Sequence, residues 1–370
     1  MDVVGIICEY NPFHNGHLYH LKKVKELFPN SLIILVLNGY FLERGDISII
    51  NKYDKTKIAL KYGIDIVLEL PFVYGTQSAD IFASTSLKIL NNFKCNYLIF
   101  GSELNDIDKL NTLVDYTIKN KDTYNTSIKE YLDKGVNYPT ALSKSLNINY
   151  KLDSNDLLGI SYIKSIKENK YNIKPVSIKR TNNFLDTTSN DAIVSATNVR
   201  NKLNNNEDIS KYIPKYDKKY IKNININNIF TYLKYKIITE KDLSIYLDVD
   251  EGIEYRLKKV INDVHNTDEL IEKLKSKRYT YNKIRRMLIH ILIGLTKKDN
   301  KRIKLDYIKI LGFSKNGQKY INSIKKNLKI TTVVDKNSLL YKYEIMATSI
   351  YDLITNENNL LKEKNNKPEK

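Results

Sequence analysis

The 370 residues include no tryptophan and only two cysteines, Cys8 and Cys95, far apart in the chain. Two thiols cannot make the disulfide framework of a small secreted domain, and no CxxC pair or Cys/His cluster offers a structural zinc site. No stretch approaches the ~18 uninterrupted apolar residues of a membrane span. The chain opens on a strand-like run, Val3–Cys8, without the basic segment and long apolar core of a secretory signal. No internal repeat is visible. These absences point to a cytoplasmic protein with no membrane partner.

Apolar residues make up 42% of the chain, enough for an ordinary core, and the length suits two domains. The formal charge is +18, with 24 Lys/Arg against 21 Asp/Glu in residues 1–200 and 36 against 21 in residues 201–370. The positive field therefore sits on the C-terminal half, which suggests a polyanion there. The alternative is compositional bias, since Asn, Ile, Lys and Tyr are all abundant.

The first hundred residues alternate strands and helices. Val3–Tyr10, Ser31–Leu37, Asp65–Leu70 and Asn96–Phe100 read as buried strands. His17–Phe28, Lys52–Tyr62 and Ser78–Phe93 read as helices. Such alternation implies a parallel sheet covered by helices, with ligands at the carboxyl ends of the strands. Residues 104–170 read as three or four helices, 172–180 as another strand, and a helix is expected near Ser195. From about 205 the pattern is helical and basic, after a candidate linker at Asn204–Asn206. The expected fold is α/β: a Rossmann-like parallel sheet domain over 1–203, a mostly α-helical basic domain over 204–360, and a disordered tail over 361–370.

The most informative segment is Glu9-Tyr10-Asn11-Pro12-Phe13-His14-Asn15-Gly16-His17, between the first strand and the first helix. A phosphate there meets free backbone N–H groups and the positive end of a helix dipole. Gly16 lets a nucleotide approach the backbone closely. His14 and His17, three apart, can donate hydrogen bonds to phosphate oxygens as charge builds during attack. The alternatives are surface histidines or a chance metal pair. The context at a strand–helix turn favours a nucleotide, as does the nearby His20.

VGIICEYNPFHNGHLYHL, LNGYFLERGD, GIDIVLELPFVYGTQSADIFA and FGSE resemble the tRNA(Met) cytidine acetate ligases, members of the HxGH nucleotidyltransferase superfamily. KRYTYNKIRRMLIHIL (277–292) and YIKILGFSKNGQKYI (307–321) resemble the C-terminal segments of that family, so the likeness spans nearly the whole chain. It implies an enzyme that makes acetyl-adenylate from acetate and ATP. The acetyl group then passes to N4 of the wobble cytidine of elongator tRNA(Met), giving N4-acetylcytidine. Magnesium is expected because it accompanies ATP, not because a metal cage is visible.

The resemblance places ATP-binding positions on Ile7, Cys8, Glu9, Tyr10, Asn11, Pro12, Phe13, His14, Asn15, Gly16, His17, Leu18, Tyr19 and His20, with His14 and His17 catalytic. It adds Gly101 after the fourth strand, Asn155 before a helix and Arg180 after the fifth strand. Read as residues alone, these are equally a turn glycine, an N-cap and half of a solvated Lys179–Arg180 pair. VSATNVR (194–200) resembles the superfamily's late phosphate loop, with Ser195 and Thr197 able to contact phosphate and Arg200 behind them. Ala196 stands where a second serine is usual, and a capped helix is the alternative. In ERGD (43–46), a departure from the family's more usual QRGE, Arg44 can meet a carboxylate such as acetate or a neighbouring acid. Lys283, Arg285 and Arg286, beside Tyr279 and Tyr281, form a candidate RNA surface, whereas Ile284, Leu288, Ile291 and Leu292 read as core. Two other readings remain open. One is an adenylyltransferase acting on a small molecule, and the other is a non-catalytic RNA-binding protein.

Overall fold

The computed structural model describes residues 1–136, 138–146, 148, 150, 152–180, 189 and 191–370. The alternation begins with β1 (Val3–Cys8), α1 (Asn15–Leu27), β2 (Leu32–Asn38), α2 (Lys52–Lys61) and β3 (Ile66–Leu70). It continues with a short α3 (Phe72–Gly75), α4 (Ala79–Asn92) and β4 (Tyr97–Ser102). Four helices follow, α5 (Ile107–Lys119), α6 (Lys121–Asp133), α7 (Tyr138–Ser145) and α8 (Ser154–Glu168), then β5 (Lys174–Lys179) and α9 (Ala196–Asn204). Every strand and helix expected in the first 204 residues is present, with ends shifted by a residue or two. Among the described residues, no helix is long and apolar enough to cross a membrane.

The sheet has the order β5-β4-β1-β2-β3-β6. All pairs are parallel except β3 with β6. β2 and β3 are buried along their whole length, as strands covered on both faces must be. The chain winds outward from β1 in two directions, toward β2 and toward β4. A crevice therefore opens beyond the carboxyl ends of β1 and β4, the switch point of a doubly wound sheet.

Beyond α9 come α10 (Phe230–Thr239), α11 (Ile253–Val260), α12 (Thr267–Leu274), α13 (Tyr281–Ile293) and α14 (Lys297–Arg302). Then follow β6 (Ile310–Phe313), α15 (Lys315–Ile324), α16 (Leu339–Thr355) and α17 (Leu360–Asn365). The sequence pattern gave no sign of β6. It is four residues long and lies on the edge of a sheet built some 240 residues earlier, pairing Phe313 with Ile66.

The segment 361–370, expected to be disordered, is folded. α17 buries Glu363 to 1% exposure, and the Glu369 backbone bonds Leu311 and Phe313 at 2.8 and 3.1 Å. The reason is a buried ionic cluster. Lys52 of α2 is fully buried and meets Glu69 of β3, Glu344 of α16 at 3.3 Å and Glu363 at 2.7 Å. Lys309 adds a second ammonium 2.5 Å from Glu363, and the Tyr53 hydroxyl donates to Glu363 at 2.8 Å. Burial, then the nearby Glu69, pushes the Glu344 carboxyl up. Burial works against the Glu363 carboxylate, but Lys52 and Lys309 outweigh it and hold that carboxyl down. Two lysines thus face three acids in one buried cluster.

Candidate active site

A cavity of about 620 Å³ opens at the switch point, between the sheet and the C-terminal helices. That volume suits a nucleotide-sized ligand. Ile7, Cys8, Glu9, Tyr10, Asn11, His14, Gly16, His17, Tyr19 and His20 line it, with Gly101, Asn155, Arg180 and Thr197. Of the positions named from sequence, Pro12, Phe13, Asn15, Leu18 and Ser195 do not. Three of them hold the surrounding backbone and packing instead. Phe13 is fully buried and stacks on Tyr62. Asn15 donates to the carbonyls of Ala192 and Lys211 at 2.8 and 2.9 Å. Ser195 caps α9, its hydroxyl accepting from the Asn198 amide at 3.1 Å.

The histidines are held by the start of α1. His14 is its N-cap, with Nδ1 accepting from the Gly16 amide at 3.0 Å. His17 reciprocates, its Nδ1 accepting from the His14 amide at 3.3 Å. A neutral imidazole that accepts at Nδ1 carries its proton on Nε2. On this pairing each neutral ring carries its N–H on Nε2, and the two rings lie 4.0 Å apart centre to centre. Burial, with Arg180 and Arg200 nearby, drives the His14 ring down to about 3. Burial, then His14, His20 and Arg180, holds His17 well below its ordinary range. His20, driven down to about 4 by burial and Arg180, is neutral as well. Gly16 has a role beyond ligand access: a Cβ there would lie 2.7 Å from the His14 ring.

Arg180 follows β5, and its backbone amide donates to Ser102 at 3.1 Å. Its Nε lies 3.5 Å from Glu103, which also accepts from Asn155 Nδ2 at 2.5 Å. Asn155 is not the N-cap of α8. Asp153 holds that place, so the Asn155 amide is left to the acid that positions Arg180. A Cβ on Gly101 would lie 3.4 Å from Arg180 Cγ, an ordinary contact, so the arginine stem itself does not require a glycine there. Beside them, burial and then Glu9 push the Cys8 thiol up to about 12. Cys8 is a neutral thiol, not a nucleophilic thiolate.

Arg200 ties the loops together. It donates to the Asn11 carbonyl at 2.7 Å and to the Thr197 hydroxyl at 3.2 Å, and lies 3.6 Å from Asp46. Below the loop, the fully buried Lys55 donates to the carbonyls of Glu9, Asn38 and Gly39 at 3.0, 2.6 and 2.7 Å. Burial draws the Lys55 ammonium down to about 7. The ERGD turn is anchored from the other side. Arg285 of α13 pairs with Asp46, and Arg286 lies 3.8 Å from Glu43. Gly45 has φ +74°, and a Cβ would meet the α13 backbone at 2.6 Å. Arg44 lies 3.6 Å from Glu43, a neighbouring acid.

Arg285 and Arg286 therefore do not form an open RNA surface. Their side chains are 11% and 15% exposed and their acid partners sit on the cavity wall. Tyr279 is buried, its hydroxyl donating to Asp250 at 2.7 Å. Ile284, Leu288, Ile291 and Leu292 are core, as read from their spacing. Asn225, Asp268, Tyr281 and Asn282 also line the cavity, without any signal at these positions in the sequence. The one available signal was the acidic pair of ERGD facing a basic pair elsewhere in the chain.

A family model described as HIGH Nucleotidyl Transferase matches residues 1–367. The chain is 37% identical over 379 residues to the tRNA(Met) cytidine acetate ligase of Caldicellulosiruptor saccharolyticus, covering 95% of this chain and 94% of the relative. It belongs to the tRNA(Met) cytidine acetate ligase family. Another such ligase, from Fusobacterium nucleatum, is 39% identical over 345 residues, covering 88% and 86%. A crystal structure of Thermotoga maritima TmcAL without ligand matches with a TM-score of 0.85 at 28% identity, over 98% of this chain and 96% of that one. The same protein bound with alpha-thio ATP matches at 0.83 and 27%, over 97% and 96%. The HxGH motif that heads this ligase family is here His14-Asn15-Gly16-His17.

Proposed function

We propose that this chain is an ATP-dependent ligase that acetylates a cytidine of tRNA(Met). In this reading an acetate oxygen attacks the α-phosphorus of ATP, and the bond to the β-phosphate breaks. Acetyl-adenylate forms and pyrophosphate leaves. The N4 amine of the wobble cytidine then attacks the acetyl carbonyl, loses a proton and displaces AMP. The observation that carries the reading is the pair of neutral imidazoles, His14 and His17. The helix start fixes both through Nδ1, and Arg180 lies close enough to depress both rings. Donors placed where charge builds at phosphorus need no covalent intermediate on the protein. The relatives' names and the nucleotide-bound Thermotoga protein support ATP and tRNA(Met) as substrates.

The carboxylates on the cavity wall do not suit a resident magnesium ion. Asp46 pairs with Arg285 and Arg200, Glu43 lies beside Arg44 and Arg286, and Glu9 Oε1 accepts from Asn38 and Glu43. Magnesium enters this reading with the triphosphate. The test is ATP–pyrophosphate exchange with and without acetate, followed by acetyl transfer to tRNA. Acetate-dependent exchange is expected. Exchange that ignores acetate but follows a small-molecule acceptor would replace this reading with adenylyl transfer.

A further inference from the structure

Acyl transfer leaves one proton to be placed. The attacking amine sheds it as the new C–N bond forms, and a positioned base speeds such a step. Most acids and imidazoles on the cavity wall are already committed. His14 and His17 give Nδ1 to the backbone and carry their N–H on Nε2. His20 Nε2 is sealed from solvent. Asp46 pairs with Arg285 and Arg200, and Glu43 lies beside Arg44 and Arg286. Both oxygens of Asp268 accept hydrogen bonds, Oδ1 from the Tyr281 hydroxyl at 3.0 Å and Oδ2 from Asn227 Nδ2 at 2.8 Å.

Glu9 differs. It follows β1 and lines the cavity. Its Oε1 accepts from Asn38 Nδ2 at 3.1 Å and from the Glu43 amide at 2.8 Å, so the carboxylate is held by one oxygen. Among the described residues, no hydrogen bond or ion pair engages the other oxygen, Oε2, and it is not sealed from solvent. Lys55, under the loop, donates to the Glu9 carbonyl and not to its carboxylate. A second uncommitted group is Tyr162 of α8, which is 2% exposed and lines the same cavity. Its ring packs edge-on to Phe100 at 5.8 Å. Among the described residues, its hydroxyl has no hydrogen-bond partner, and it too is not sealed. Burial pushes that hydroxyl up, and Cys8, Glu9 and Glu43 add to the push, so the phenol end lies within electrostatic reach of the Glu9 wall.

We propose that Glu9 takes the proton from the amine that attacks the acyl-adenylate, with the Tyr162 hydroxyl as a second contact to the amine-bearing group. The proposal rests on the ligase reading and adds the proton acceptor of its second step. The nitrogen lone pair forms the bond to the acetyl carbon. The bond from that carbon to the phosphate oxygen breaks, and AMP leaves with its electrons. The proton passes from nitrogen to Glu9 Oε2 and then to water. A carboxylate at this place repels phosphate and accepts an N–H, so it suits the nucleophile rather than the nucleotide.

The test uses the full chain with ATP, acetate and saturating tRNA(Met). Single-turnover acetyl transfer is measured beside acetate-dependent ATP–pyrophosphate exchange. Glu9→Gln keeps an oxygen for Asn38 and the Glu43 amide and replaces the basic oxygen with an NH2. The ratio of transfer to exchange should fall by about 10²-fold, the scale of a general base. Tyr162→Phe removes only the hydroxyl and should lower the ratio about two- to tenfold, the scale of one neutral hydrogen bond. The ratio discounts any loss in ATP binding that both activities share. Parallel loss of both activities in Glu9→Gln would assign Glu9 to adenylate formation or to the scaffold and overturn the proposal. An unchanged ratio in Tyr162→Phe would remove the hydroxyl from the step. A wild type that performs both reactions, with an unchanged ratio in Glu9→Gln, would reject the proton acceptor and leave the ligase reading intact. No acetate-dependent exchange in the wild type would reject both.

Discussion

His14 and His17 each give Nδ1 to the backbone, so a substitution at either changes the helix start as well as the cavity. His17→Ala should lower acetate-dependent ATP–pyrophosphate exchange by about 10²-fold, the scale of losing one oriented donor. Near wild-type exchange in a folded variant would remove His17 from the chemistry. The same burial makes a prediction for stability. His14 and His20 titrate at about 3 and about 4 in the fold, and near 6.5 once unfolded. Between those values the unfolded chain binds more protons, so stability rises with pH. The contribution is complete above about 6.5 and declines as pH falls, by roughly 1.4 kcal/mol per pH unit for each ring. Urea unfolding at pH 7.5 and pH 5 measures it, and equal stabilities would mean these rings are hydrated in solution. The residues of this loop were legible because their signal is local: a short motif between an apolar strand and a helical pattern. The Nδ1 pairing was not, because it depends on backbone direction.

At the scale of elements, α13 is the instructive case. Its Tyr and Arg content suggests a nucleic-acid surface, and its hydrophobic spacing suggests a core helix. The spacing settles where Ile284 and Leu288 go but says nothing of Arg285, whose partner Asp46 lies 239 residues away. Long-range ion pairs leave no periodic trace. The four-residue β6 was invisible for a related reason, since an edge strand is defined by the edge it joins. Replacing Arg285 and Arg286 together with Ala should therefore reduce exchange and acetylation in parallel, by about 10- to 100-fold, the scale of a misplaced reacting group. Full exchange with lost acetylation would instead return this helix to the RNA.

Over the whole molecule, the positive charge and the buried cluster act at different ranges. The excess of Lys and Arg in residues 201–370 predicts RNA binding by the full chain that weakens steeply with salt. A flat response between 50 and 200 mM salt would count against an electrostatic platform. The cluster predicts cooperativity instead. Glu363→Ala leaves Lys52 and Lys309 short of a carboxylate and should cost about 3–5 kcal/mol in chemical unfolding, the range for breaking a buried pair. A loss below about 1 kcal/mol would mean the ammoniums rehydrate easily. Vectorial synthesis meets this cluster in an awkward order. Lys52 leaves the ribosome early, while Glu344 and Glu363 emerge some 300 residues later. At about 5–20 residues per second that interval lasts tens of seconds. Until it ends, the nascent sheet has an open β3 edge, and two of Lys52's three acidic partners have yet to be made.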